Sequence, residues 1–127
     1  MYMTNPNLSD EQKAVLFNKA TEPAFSGSLL EVTDEGVYRC ANCHTQLFSS
    51  NSKFDSHCGW PSFDKAISNT VSYHKDDSFG MNRTEVTCAK CGGHLGHVFD
   101  DGPQETTGKR YCINSLSLDF VAKDKNK

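Results

Sequence analysis

The feature that most constrains this chain is a repeated C-x-x-C pattern, Cys40–Cys43 and Cys88–Cys91. Each pair follows a short strand-like run, "VYRC" or "EVTC", and the second pair is followed by "GG". A chain that reverses tightly after a strand aims two thiolates at one point, and two such reversals complete a tetrahedron. Zn²⁺ favours that arrangement, and closed four-cysteine sites are structural rather than catalytic. The expected ligands are therefore Cys40, Cys43, Cys88 and Cys91, and the expected cofactor is one structural zinc. Iron in a rubredoxin-like S₄ site is the chemical competitor. The first pair runs on into His44, which completes the literal C-x-x-C-H pattern of covalent haem attachment. A haem would leave Cys88 and Cys91 without a role, so His44 reads as a loop histidine.

A chain of 127 residues suffices for one domain with a hydrophobic core. Its net charge is −3 and its charges are interspersed. The absence of a basic block to neutralise phosphates argues against an electrostatic nucleic-acid binder. No apolar run reaches the length of a membrane span. The start, "MYMTNPNLSDEQ", lacks the basic and apolar regions of a signal peptide, so the expected location is cytoplasmic. In a reducing compartment six cysteines do not read as three structural disulfides. Four are taken by the pairs; Cys58 and Cys112 remain.

Ser9 through Ala20 reads as a helix, with Ser9 as cap and Gln12 at the capping-box spacing. "TEPAFSG" breaks it. Beyond lie short β-like runs, "GVYRC", "NTVSYHK", "RTEVTC", "HLGHVF" and "RYCINSLSLDFV", separated by turn-rich pieces such as "SSNSKFD" and "DDGPQETTGK". "GWPSFDKAI" suggests a short helix, with Pro61 in its first turn. The whole reads as one mainly-β domain with an N-terminal helix.

Strand alternation in "RYCINSLSLDF" places Arg110, Cys112, Asn114, Leu116, Leu118 and Phe120 on one face, polar at one end and apolar at the other. A thiol at that boundary, beside the Arg110 cation, is expected to ionise below its free value of about 8.5. The bland alternative is a buried structural cysteine. Cys58 lies in the turn-prone "DSHCGWPSF", where a loop thiol can approach a second one, as a resolving cysteine must. His94 and His97 stand three apart in "HLGHVF". On a regular strand they face opposite sides, so only one easily serves a given site, as a proton donor or as a packed, hydrogen-bonded histidine.

Together, "TEPAFSG", both C-x-x-C pairs, "FDSHCGWPSF", "HLGHVF", "DGP" with a following "TG", and "RYCINSLSL" resemble the B-type methionine sulfoxide reductases (MsrB), the peptide-methionine (R)-S-oxide reductases. The resemblance covers most of the chain. Two departures are local: His57 stands where many members have glycine, and "GPQETTGKRYC" is one residue longer than the common spacing. The resemblance implies a mainly-β fold of two antiparallel sheets with the zinc away from the active site. Residues 1–127 then form a single domain with flexible ends at 1–8 and 122–127. It implies Cys112 as nucleophile, Cys58 as resolving cysteine and His97 as proton donor, with His94, Asn114 and Arg110 around the reaction. Trp60 and Phe99 match positions that hold the substrate, and Asp101 lies nearby. The implied reaction is reduction of methionine-R-sulfoxide, chiefly in proteins, through a sulfenic acid and an intramolecular disulfide. Thioredoxin is the implied reductant and a monomer the implied state.

Two other classes make different predictions. A non-catalytic zinc ribbon that binds a protein or nucleic acid functions without Cys112. A general thiol–disulfide oxidoreductase built on Cys58 and Cys112 turns over simple disulfides without preferring sulfoxides.

Overall fold

A computed structural model describes residues 5–77, 80 and 83–123. Helix α1 (Asp10–Asn18) starts with the expected capping box. The Ser9 hydroxyl accepts from the Gln12 amide at 3.1 Å, and the Gln12 side chain accepts from the Ser9 amide at 2.9 Å. Two of the amides that a helix start leaves open are thereby satisfied. The helix ends before Ala20 because Lys19 turns left-handed, φ 58°. Its buried residues are Val15 and Leu16, and Leu16 joins the core cluster that contains Leu95.

The strands form two antiparallel sheets. β1 (Gly36–Cys40), β2 (Gln46–Ser49) and β9 (Leu118–Ala122) make a small sheet in the order β2-β1-β9. β3 (Lys53–Phe54), β4 (Ser62–Phe63), β5 (Val71–Asp76), β6 (Arg83–Cys88), β7 (His94–Phe99) and β8 (Arg110–Ile113) make a larger one, ordered β3-β4-β8-β7-β6-β5. Aromatic side chains join them. Phe48 of the small sheet stacks on Phe63 of the large one at 4.3 Å, and Tyr38 meets Phe63 edge-on at 5.1 Å. All three rings are fully buried, each contributing about 1.5–3 kcal/mol by leaving water. Among the described residues no helix is long and apolar enough to cross a membrane.

Two local expectations are corrected. "GWPSFDKAI" forms no helix: Ser62 and Phe63 pair with Cys112 and Tyr111 on one side and with Phe54 and Lys53 on the other. Tertiary pairing overrides local propensity there. "RYCINSLSLDFV" is not one strand. A 3-10 turn at Ser115–Ser117 ends β8 and hands the chain to β9 in the other sheet, so Leu118 and Phe120 leave the face of Cys112. Of the ends expected to be flexible, residues 1–4 and 124–127 lie outside the described residues. Inside them, Leu8 is buried, the Asn5 amide donates to the Asn42 side chain at 2.7 Å, and Ala122 pairs with Gly36 in the small sheet.

Candidate active site and metal centre

The two C-x-x-C knuckles have the same backbone pattern. The Cys40 amide donates to Thr45 O and the His44 amide to Cys40 O. In the second knuckle the Cys88 amide donates to Gly93 O and the Gly92 amide to Cys88 O. His44 and Gly92 hold equivalent positions, both left-handed, with φ 65° and 81°. His44 is thus the turn residue of a knuckle, exposed to solvent, and not a haem ligand. A left-handed non-glycine residue costs roughly 1 kcal/mol, so His44→Gly is expected to stabilise the protein by about that much, read as a higher urea midpoint.

All four Sγ atoms lie within 4.8 Å of one another. Cys40 and Cys91 are 3.6 Å apart, and Cys43 and Cys88 are 3.5 Å apart. Zn–S bonds of about 2.3 Å in a tetrahedron need S···S separations of about 3.8 Å. The donor set and its spacing fit a tetrahedral metal ion.

A separate cavity of about 330 Å³ opens on the large sheet. Cys112 and Cys58 line it together with Trp60, His97, Phe99, Arg110 and Asn114; none of the four knuckle cysteines does. Strand register explains the gathering. Ser62 of β4, Cys112 of β8, His97 of β7 and Glu85 of β6 are successive cross-strand partners, and side chains in such a row share one face. The loop before β4 carries Cys58 back over this row, so the Cys58 and Cys112 Sγ atoms lie 3.0 Å apart. His57 in that loop is left-handed, φ 61°, a conformation suited to the glycine that it departs from.

His94 and His97 were expected on opposite faces, and the structure corrects this. Thr87 pairs with His94 but Val86 with Gly96, so Leu95 is an extra residue, a β-bulge. One inserted residue turns a spacing of three into a shared face, and the two imidazoles lie 5.6 Å apart. The bulge is held by Asn114, whose backbone and side-chain amides both donate to Leu95 O, at 2.9 and 3.0 Å. Next to the bulge, a Cβ on Gly96 would meet the Cys112 carbonyl oxygen at 2.1 Å. Glycine is what lets β8 close on β7.

Each histidine has a carboxylate on one nitrogen. His97 Nε2 meets Asp76 at 2.7 Å, and Arg83 pairs with the same carboxylate oxygen at 3.0 Å. His94 Nδ1 meets buried Glu85 at 2.8 Å, and Lys19 reaches the other Glu85 oxygen at 3.3 Å. Burial pushes Glu85 up, but the His94 hydrogen bond and then Lys19 more than offset it, leaving the carboxyl below its usual range. Burial lowers His94 despite the opposing pull of Glu85. Arg110 forks onto Asp101 at 2.8 and 3.2 Å, stacks 4.4 Å over the Phe99 ring, and is held fully charged first by Asp101. Trp60 donates its indole N–H to Glu22 O at 3.0 Å, and the Glu22 amide donates to the Asn114 side-chain oxygen at 3.1 Å.

The expected low ionisation of Cys112 is also corrected. Cys112 is raised, first by its hydrogen bond with Cys58 and then by burial; Arg110 opposes this without prevailing. Cys58 is lowered to about 4, first by that bond with Cys112 and further by Ser56, Ser62 and the Trp60 backbone, against burial. Two thiols this close titrate as a pair, and the contact suits one proton held between the two sulfurs. In the reduced protein, the alkylation rate of the Cys58–Cys112 pair, read by mass spectrometry of its peptides, is expected to show a thiolate step near pH 4. That step moves upward in both Cys58→Ser and Cys112→Ser, because each removes the partner. Its persistence in both variants contradicts the shared proton.

Sequence reasoning missed Asp76, Glu85, Arg83 and Glu22. The first three sit in charged strands whose register to the histidines no local pattern reveals. Glu22 lies in "TEPAFSG"; its backbone joins Trp60 to Asn114, and its buried carboxylate accepts from the Leu116 amide at 2.9 Å.

The SelR domain family matches residues 8–122 of the chain. Several relatives carry the name peptide methionine sulfoxide reductase MsrB, among them those of three organisms. That of Methanosarcina barkeri is 54% identical over 94% of this chain and 84% of its own length. Those of Leptospira interrogans and Chromohalobacter salexigens are 54% and 52% identical, each over 89% of this chain and 86% of their own. The crystal structure of the Mis18 'Yippee-like' domain shares the fold alone, at 19% identity and a TM-score of 0.54, covering 72% of this chain and 99% of that one.

Proposed function

The chain belongs to the SelR-domain family of MsrB-type methionine sulfoxide reductases, and from that premise we propose that it reduces the R epimer of methionine sulfoxide, chiefly in proteins. The observation that carries the reading is the 3.0 Å contact of Cys58 and Cys112 Sγ in a cavity walled by Trp60 and His97. The proton shared by the two sulfurs passes to Cys58, which leaves Cys112 as thiolate beside Arg110. Cys112 Sγ then attacks the sulfoxide sulfur while His97, oriented by Asp76, protonates its oxygen. General acid help of this kind is worth about 10²–10⁴-fold in rate. The substrate S–O bond breaks as the hydroxyl passes to Cys112 Sγ, which becomes a sulfenic acid, and the bond between the two sulfurs breaks with its electron pair left on methionine.

Cys58 then attacks the sulfenic sulfur. An S–S bond forms, the S–O bond breaks, and the hydroxide takes a proton to leave as water. Two sulfurs at 3.0 Å need to close by only about 1 Å to reach bonding distance. An external dithiol, thioredoxin in this proposal, reduces the disulfide by exchange. Trp60, tied to Glu22, packs against the substrate methyl and Phe99 closes the pocket. Asn114 and His94 hold the bulge and the bed of His97.

We also assign zinc to Cys40, Cys43, Cys88 and Cys91. When bound it cross-links the two knuckles, and no reaction step passes through it. The proposal treats residues 1–127 as one monomeric cytoplasmic domain.

Separated R and S epimers of a methionine sulfoxide peptide, assayed with dithiothreitol, test the proposal. Consumption of R alone is expected. No turnover of either epimer by the folded, zinc-loaded protein would overturn it and favour the binding module; turnover of simple disulfides in preference to sulfoxides would favour the general oxidoreductase.

A further inference from the structure

Trp60 lines the cavity of Cys112 on one side and a second, larger groove of about 500 Å³ on the other, within the size range of ligand-holding clefts. Tyr38, in the wall of this groove, is fully buried, yet its hydroxyl has no hydrogen-bond partner among the described residues. Leaving a buried donor unpaired is costly, so an acceptor entering the groove finds one waiting. Burial, and then Asp34, push the Tyr38 hydroxyl up to about 12, so it stays a donor.

Glu31, Asp34 and Asp55 also line the groove, and all three are exposed. Their positive neighbours are occupied. Lys53 Nζ donates to Leu30 O and Val32 O at 2.8 and 3.0 Å, and His57 Nδ1 lies 3.3 Å from Asp55. At the lip stands Phe25, 69% exposed, whose amide donates to Gly59 O in the Cys58 loop at 2.7 Å. The groove thus shares Trp60 with the candidate active site, is negative at its rim, and has behind its wall a hydroxyl with no partner among the described residues.

We propose that this groove receives the polypeptide flanking the oxidised methionine. Tyr38 donates to a main-chain carbonyl of that segment, and the acidic rim selects lysine or arginine side chains beside the sulfoxide. The proposal rests on the reductase reading above, and its test separates the two.

Turnover is measured with dithiothreitol on three probes: N-acetyl-methionine-(R)-sulfoxide methylamide, and pentapeptides with the sulfoxide flanked by lysines or by glutamates. The wild type is expected to favour the lysine peptide by about tenfold in kcat/KM at low salt, through KM. That ratio falls to about one at roughly 0.5 M salt, and in the triple variant Glu31→Gln, Asp34→Asn, Asp55→Asn. Tyr38→Phe lowers kcat/KM on both peptides by about threefold and leaves the blocked amino acid unaffected. Equal turnover of the two peptides by the wild type, or a preference that survives the triple substitution, overturns the groove assignment. So does a triple variant impaired only with thioredoxin, which would mark the groove as a reductant-docking face. Failure on the blocked amino acid as well sinks the reductase reading itself.

Discussion

Cys112→Ser is expected to yield a folded protein that reduces neither epimer, with turnover down by about 10⁴-fold or more. Cys58→Ser is expected to keep dithiothreitol-supported turnover and to lose thioredoxin-supported turnover. The asymmetry follows from the two chemical steps. A serine hydroxyl at 112 is not ionised at neutral pH and cannot become a sulfenic acid, so the oxygen has no acceptor. Without Cys58 the oxygen is still transferred, and a small dithiol entering the cavity can reduce the Cys112 sulfenic acid directly. Thioredoxin instead needs the disulfide that Cys58 makes. A single turnover without reductant resolves the steps. Wild type and Cys58→Ser each release about one methionine per protein, but only the variant retains a sulfenic acid that dimedone traps. Full turnover by Cys112→Ser, or wild-type thioredoxin kinetics in Cys58→Ser, contradicts the assigned roles.

Replacing Cys40 or Cys88 with Ser is expected to release the zinc and to destabilise the fold by about 3–5 kcal/mol, a fall in melting temperature of roughly 10–20 °C. A metal bound there would tie the segment near residue 40 to that near residue 90 and remove that loop's freedom from the unfolded chain. Both residues are buried, and each begins a knuckle whose turn is closed by its own carbonyl. The second knuckle feeds directly into β7 (His94–Phe99), so loosening it also frees the strand that carries both histidines. Metal content and thermal melting of the two variants check this. Retained zinc with unchanged melting in both is the contrary result.

The convergence of the four knuckle cysteines was legible in their spacing, because each pair is a local reversal and only the meeting of two reversals is tertiary. The capping box of α1, the mainly-β character and five of the strand-bearing segments were equally local. Family resemblance, rather than periodicity, pointed to Cys58, Trp60 and Asn114 together. What it could not convey is how they are held. Trp60 and Asn114 are joined through the Glu22 backbone, from a segment that reads in sequence only as a helix breaker.

Strand pairing decided the rest. A period-two reading placed Cys112 correctly opposite the buried Tyr111 and Ile113, then failed at Ser115 because the chain changes sheets there. The same reading separated His94 from His97, since nothing local announces that Leu95 is a bulge; its carbonyl is satisfied by Asn114, a residue far along the chain. The protonation of Cys112 was misjudged for a related reason. Sequence showed its cation, Arg110, but not the sulfur 3.0 Å away that hydrogen-bonds with it. Short-range chemistry, such as caps, turns and metal knuckles, is determined by residues within a few positions of one another. Register, bulges and shared protons depend on which strand lies alongside, and only the folded chain settles that.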